Sequence, residues 1–97
     1  MAALTIKWTK QAIADVDNIY DFVAANNPRA ARAMVDRIDR AITNLTQHPR
    51  MGRSGRVAGS RELVVAGTPY IVAYRLRSRT VELLGVIHTA RRWPDRF

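Results

Sequence analysis

The chain changes its hydrophobic period once. From residue 10 to about residue 47 apolar side chains return every third or fourth position, whereas from 61 to 88 they alternate or run continuously. Side chains repeat every 3.6 residues on a helix and every two on a strand, so the first stretch must be helical and the second must form sheet. Ala12, Ile13, Val16, Ile19, Tyr20 and Val23 form the stripe of a helix over about residues 10 to 25, with Thr9 as its N-cap and Asp15, Asp17 and Asp21 between the apolar positions. Asn26-Asn27-Pro28 interrupts it, because the residue before proline avoids the α region while proline itself suits a first helical position. Ala31, Met34, Val35, Ile38, Ala41, Ile42 and Leu45 then mark a second helix that His48-Pro49 ends, with His48 expected to cap its carbonyls. So short a link leaves an antiparallel helical hairpin as the natural arrangement.

Strands flank this hairpin. Leu4, Ile6 and Trp8 alternate with Thr5 and Lys7, which predicts a short initial strand. Residues 50–60 hold three glycines and three arginines and read as a loop. Strands are then predicted over 61–65, 70–76 and 81–88, with turns at 66–69 and 77–80. A last hairpin closed at 77–80 sets Arg75 against Glu82, Tyr74 against Leu83, Ala73 against Leu84, Ile71 against Val86 and Tyr70 against Ile87, all chemically compatible pairs. The expected fold is α+β, β-α-α-β-β-β, with the helical hairpin packed on a small antiparallel-rich sheet in a single domain over residues 1–97. Both faces of the 70–76 strand are apolar, so a second cover is required opposite the helices. A partner protein or the Trp93-containing tail can supply it.

Composition narrows the function classes. A chain of 97 residues supports one core and no deep private cleft, so function is expected on an exposed face. No apolar run approaches the ~18 residues of a membrane span, and the start lacks the charged and apolar regions of a signal peptide, so a cytoplasmic protein is expected. Without cysteine there is no disulfide or thiolate metal site, and no metal or organic cofactor is expected. Charge is lopsided: residues 1–48 are nearly balanced, while residues 49–97 carry ten arginines against three acids, a net of +7. An anionic partner is implied. The helix charges look like solvated surface, with Arg32, Asp36 and Arg40 one turn apart and able to pair.

Neither a phosphate-loop motif nor a nucleophile elbow is present, and the glycines at 52, 55 and 59 lack the strand and helix that a phosphate cradle needs. His88 is the best chemical candidate. It closes the last strand, shares parity with Glu82, and precedes Arg91, Arg92 and Trp93. Histidine among arginines is sufficient for metal-free RNA cleavage, in which the 2′-hydroxyl proton moves and the phosphorane charge is stabilised. The structural alternative stands beside it: Arg75 is satisfied by Glu82, and a strand-end histidine is often merely hydrogen-bonded.

Particular words then converge in order: Trp8-Thr9 with Ala12 and Asp15, Asn27-Pro28, Pro49 with Gly52-Arg53 and Gly55-Arg56, Arg61-Glu62-Leu63, Tyr70-Ile71-Val72-Ala73-Tyr74-Arg75, and Val86-Ile87-His88 followed by Arg91. Over nearly its full length the chain resembles the RelE/ParE superfamily of toxins from bacterial type II toxin-antitoxin modules. That resemblance implies a cognate antitoxin whose acidic amphipathic C-terminal segment wraps the toxin in a hetero-oligomer, with Leu63, Val65 and Tyr74 as expected contacts. RelE-like members cut messenger RNA on the ribosome and carry an arginine where this chain has Tyr70. ParE-like members poison DNA gyrase and match better there, which favours the ParE branch. The resemblance thus implies a gyrase poison, with Arg53, Arg56, Arg61, Arg91, Arg92 and Trp93 as expected target contacts. The alternatives are a ribosome-dependent endonuclease using His88, Arg91 and Arg75, and a non-toxic remnant that only binds its antitoxin.

Overall fold

The computed structural model describes residues 4–94 and 96–97. Strand β1 (Thr5–Trp8) leads into helices α1 (Lys10–Ala24) and α2 (Pro28–Asn44), and four further strands follow: β2 (Arg53–Ser54), β3 (Arg61–Val64), β4 (Tyr70–Arg77) and β5 (Thr80–His88). They form one five-stranded sheet in the order β1-β5-β4-β3-β2. Only β1 is parallel to its neighbour, pairing Thr5 with Thr80 through Trp8 with Leu83, while the other neighbours are antiparallel. The α+β class and the helical hairpin are as expected.

Local chemistry fixes the helix ends. The Thr9 hydroxyl accepts from the Ala12 amide at 3.2 Å and donates to the Leu83 carbonyl at 2.7 Å, so one side chain caps α1 and anchors it to β5. Asn27 caps α2 by accepting from the Ala30 amide at 3.1 Å. His48 does not cap α2 through its imidazole; its backbone amide donates to the Asn44 carbonyl at 2.9 Å, since the chain turns back on itself there.

Ala12 and Ile19 of α1 join Ile38 and Ile42 of α2 and Leu45 in a core against Leu63, Val65, Val72, Tyr74, Val81, Leu83 and Val86. Each large aliphatic side chain buried in this way stabilises the fold by about 1.5–3 kcal/mol. Tyr74 is the largest fully buried side chain, and it is satisfied: its hydroxyl accepts from the Gly52 amide at 2.9 Å and donates to the Pro49 carbonyl at 2.8 Å. A Cβ on Gly52 would lie 2.5 Å from that hydroxyl, so only glycine fits there.

Two further expectations change. The 50–60 segment is not only loop, because Arg53 and Ser54 pair with Glu62 and Arg61 as an edge strand. The β4–β5 register holds from Arg77–Thr80 to Tyr74–Leu83 and then slips by one at a bulge between Ala73 and Tyr74, giving Ala73–Gly85, Val72–Val86, Ile71–Ile87 and Tyr70–His88. That slip turns Val86 into the core beside Val72 and takes His88 out of phase with Glu82. The second cover, finally, is in part the tail. Ile71, Ala73 and Leu84 are buried outside the helix-side cluster, Phe97 lies against Gly85, and the Arg56 guanidinium sits 3.9 Å from the Trp93 ring centroid.

Candidate functional site

Because β1 pairs with β5 only as far as Leu83, the outer edge of β5 from Leu84 to His88 has no strand beside it. α1 runs along this edge. Its Asp15 carboxylate accepts from the Val86 amide at 2.9 Å and from the Gln11 side-chain amide at 2.7 Å, occupying a donor that an open edge would otherwise present. Asp15 is therefore not simply solvated helix surface. Sequence reasoning missed it because an acid between apolar helix positions has no local mark of its distant partner.

Between α1 and the tail lies an open groove of about 870 Å³. Phe22 and Phe97, 76% and 44% exposed, give it apolar walls, while Arg75, Glu82, His88, Arg91 and Arg92 line it as well. The three residues of the nuclease alternative thus border one cavity, yet two of them are already engaged. Arg75 donates from Nε to the Glu82 carboxylate, which also meets Lys7 Nζ at 3.8 Å. The Arg75 guanidinium, as hydrogen-bond donor first and as neighbouring charge second, holds the Glu82 carboxyl below the usual carboxylate range against the opposing effect of burial. His88 Nδ1 accepts from the Ala90 amide at 3.0 Å, and its ring meets Tyr70 edge-on at 5.4 Å between centroids. Only Nε2 of His88 is left for a ligand, and the bulge puts it in phase with Tyr70 instead of Arg75.

The arginines expected to meet a target sit on a framework. Glu62 is 2% exposed, and its carboxylate accepts from the Arg56 amide at 2.7 Å and from Arg53 Nη2 at 3.2 Å, with Arg56 Nε at 3.6 Å. Arg61 Nη1 donates to the Gly52 carbonyl at 2.8 Å. Arg53 and Arg56 nonetheless keep 57% and 49% of their side chains in solvent. The Arg56 guanidinium meets the Trp93 ring, so the tail touches the 53–61 segment at that residue. The structure therefore brings Arg53, Arg56 and Trp93 together around Glu62, whereas Arg91 and Arg92 line the groove.

Leu63, Val65 and Tyr74 stand differently. They are 8%, 2% and 0% exposed and face the chain's own helices, so they offer no surface to a partner while the helices are in place. Alternation along β3 puts Val64, at 50% exposure, on the outside.

A family model described as the ParE toxin of the type II toxin-antitoxin system matches residues 6–93. A protein named as toxin Y4kP in Sinorhizobium fredii is 42% identical over 95 residues, covering 98% of both chains. Toxin RelE2 of Caulobacter vibrioides is 35% identical over 86 residues, 89% of this chain and 96% of that one. Among solved structures, the chromosomal ParDE toxin-antitoxin system of P. aeruginosa aligns with a TM-score of 0.80 and 29% identity over 89% of this chain and 96% of the other. The RelBE2 toxin-antitoxin complex of Mycobacterium tuberculosis aligns at 0.62 with 26% identity, again over 89% of this chain and 98% of that one.

Proposed function

The chain belongs to the ParE toxins of type II toxin-antitoxin systems, and from that membership we propose that it poisons DNA gyrase by binding and is neutralised by a cognate antitoxin. The observation that carries this reading is the state of the groove. Arg75 is bound to Glu82, Nδ1 of His88 is taken by Ala90, and Tyr70 stands where the resemblance to nucleolytic members implies an arginine. A phosphorane stabiliser must be free at the moment charge develops, and an acid/base pair needs two groups facing one substrate. Of the three expected residues, Arg75 is not free for the first role and only Nε2 of His88 is open for the second, whereas the groove offers apolar walls and exposed arginines suited to a protein surface.

The antitoxin supplies an acidic amphipathic C-terminal segment. Its apolar side chains meet the exposed apolar groups of the toxin, Phe22, Phe97, Ile13 and Val64 among them, and not the buried Leu63, Val65 and Tyr74. Its acids meet the arginine-rich half. Purified chain added to gyrase should block negative supercoiling of plasmid, and antitoxin added first should restore it. Unaffected supercoiling at stoichiometric excess would reject the gyrase reading.

One observation favours a second reading. His88 Nε2, Arg91 and Arg92 border the same open groove, which leaves a route to ribosome-dependent messenger RNA cleavage. Adding the chain to translating ribosomes should leave messenger RNA intact; new 5′ ends that vanish with His88→Ala would establish the nuclease instead.

A further inference from the structure

The strongest charged patch has no role in holding the fold that accounts for its extent. Arg50, Arg53, Arg56 and Arg61 fall within twelve residues, and the 3.9 Å stacking of Arg56 on Trp93 sets them against the tail that carries Arg91 and Arg92, whose side chains line the neighbouring groove. The acid that this surface contains among the described residues is Glu62. Its carboxylate is buried and already saturated by the Arg56 amide and the Arg53 guanidinium, so it holds the arginines in place without presenting negative charge to solvent. Arg91 and Arg92 have no acidic partner among the described residues.

Such fixed guanidinium forks match phosphate oxygens, which they bind in pairs. An acidic peptide would need several apolar anchors as well as charge, and of the exposed large hydrophobic side chains among the described residues only Met51 lies within the 50–61 segment, while Phe22 and Phe97 line the groove that Arg91 and Arg92 also border. Among the described residues no helix projects from the patch into a DNA groove, so the backbone is the part of the duplex that the arginines meet first. We propose that the 50–61 segment and the tail form a sequence-independent contact to the phosphate backbone of duplex DNA, made beside the toxin's protein target. The inference rests on the gyrase reading for the source of that DNA, because an enzyme that acts on DNA presents duplex next to any poison seated on it.

The test uses the purified full chain and a labelled 30-base-pair duplex with no gyrase present, read by fluorescence anisotropy between 50 and 200 mM salt. Five exposed arginines, Arg50, Arg53, Arg56, Arg91 and Arg92, predict a slope of log K against log salt of about −4.5, at roughly 0.9 per phosphate. The double variant Arg91→Gln/Arg92→Gln should bind about tenfold more weakly and lower that slope by about 2. The double variant Arg29→Gln/Arg32→Gln on α2 removes the same charge and should change affinity less than about twofold, because those residues lie outside the patch. Two unrelated duplex sequences should bind alike. Equal weakening by both double variants would show diffuse net charge alone and overturn the proposal, as would absence of binding at 50 mM salt or tighter binding of single-stranded RNA of equal length. Since gyrase is absent, failure here leaves the supercoiling result standing, and a chain that binds duplex without touching gyrase sinks only the other reading.

Discussion

At the scale of single residues the chain puts unusual demands on a few polar atoms. Tyr74 is the clearest, because its hydroxyl satisfies both the Gly52 amide and the Pro49 carbonyl. Tyr74→Phe leaves both backbone groups without that partner and should cost about 1–3 kcal/mol, measured as a lower urea midpoint at unchanged m value. Glu82 gives a pH signature. Its carboxyl is held low in the folded chain, so the stability it confers is present above the ordinary carboxylate value and is lost as pH falls through its folded value. Arg75→Gln removes the main cause, so its stability deficit against the parent should be fullest near neutrality and should shrink below about pH 4. A deficit constant from pH 7 to pH 3 would show that Arg75 acts through packing alone. The Arg75–Glu82 pair was legible in the sequence because hairpin parity places opposite charges across from each other. Asp15 was not, since its partner amide lies 71 residues away.

Elements show where sequence patterning stops. Both helices, the Thr9 cap and the loop-side half of the last hairpin follow from period, turn residues and Pro28, whereas the Asn27 cap does not. The bulge does not, because Ala73, Leu84 and Gly85 are all compatible with either register and nothing in the local sequence marks an extra residue. Its consequence is large, since it decides which face His88 joins. Likewise β2 is two polar residues whose pairing depends on Glu62, which no two-residue window reveals. Leu63, Val65 and Tyr74, expected to meet a partner, show a related limit: an apolar sheet face announces burial but not by what, and here the chain's own helices cover it. At this scale Gly52→Ala is a sharp probe. The added methyl would lie 2.5 Å from the Tyr74 hydroxyl and 3.0 Å from the Glu62 carbonyl oxygen, contacts that neither the pinned ring nor strand backbone can relieve. A loss of about 2–3 kcal/mol is expected by chemical denaturation. Asp15→Ala, which uncovers the Val86 amide at the β5 edge, should cost about 1 kcal/mol and speed hydrogen exchange at that amide, while exchange in β3 stays unchanged.

For the whole molecule, charge and exposed apolar surface divide the labour. The basic patch and the β5 groove lie on either side of the tail, which joins them by way of Trp93 and Phe97. Among the described residues no helix is long and apolar enough to cross a membrane. Released from its antitoxin in a growing bacterium, the chain should arrest division; normal growth on expression would favour the inert remnant. Arrest by contact differs from arrest by chemistry in one decisive respect, which is indifference to the loss of a titratable side chain. The sharpest measurement is therefore gyrase-dependent linearisation of plasmid, titrated with the parent chain and with His88→Ala side by side. The binding account predicts that linear DNA accumulates in proportion to either protein with the same midpoint; no linear product from the parent chain, with messenger RNA cleavage that requires His88, would contradict it.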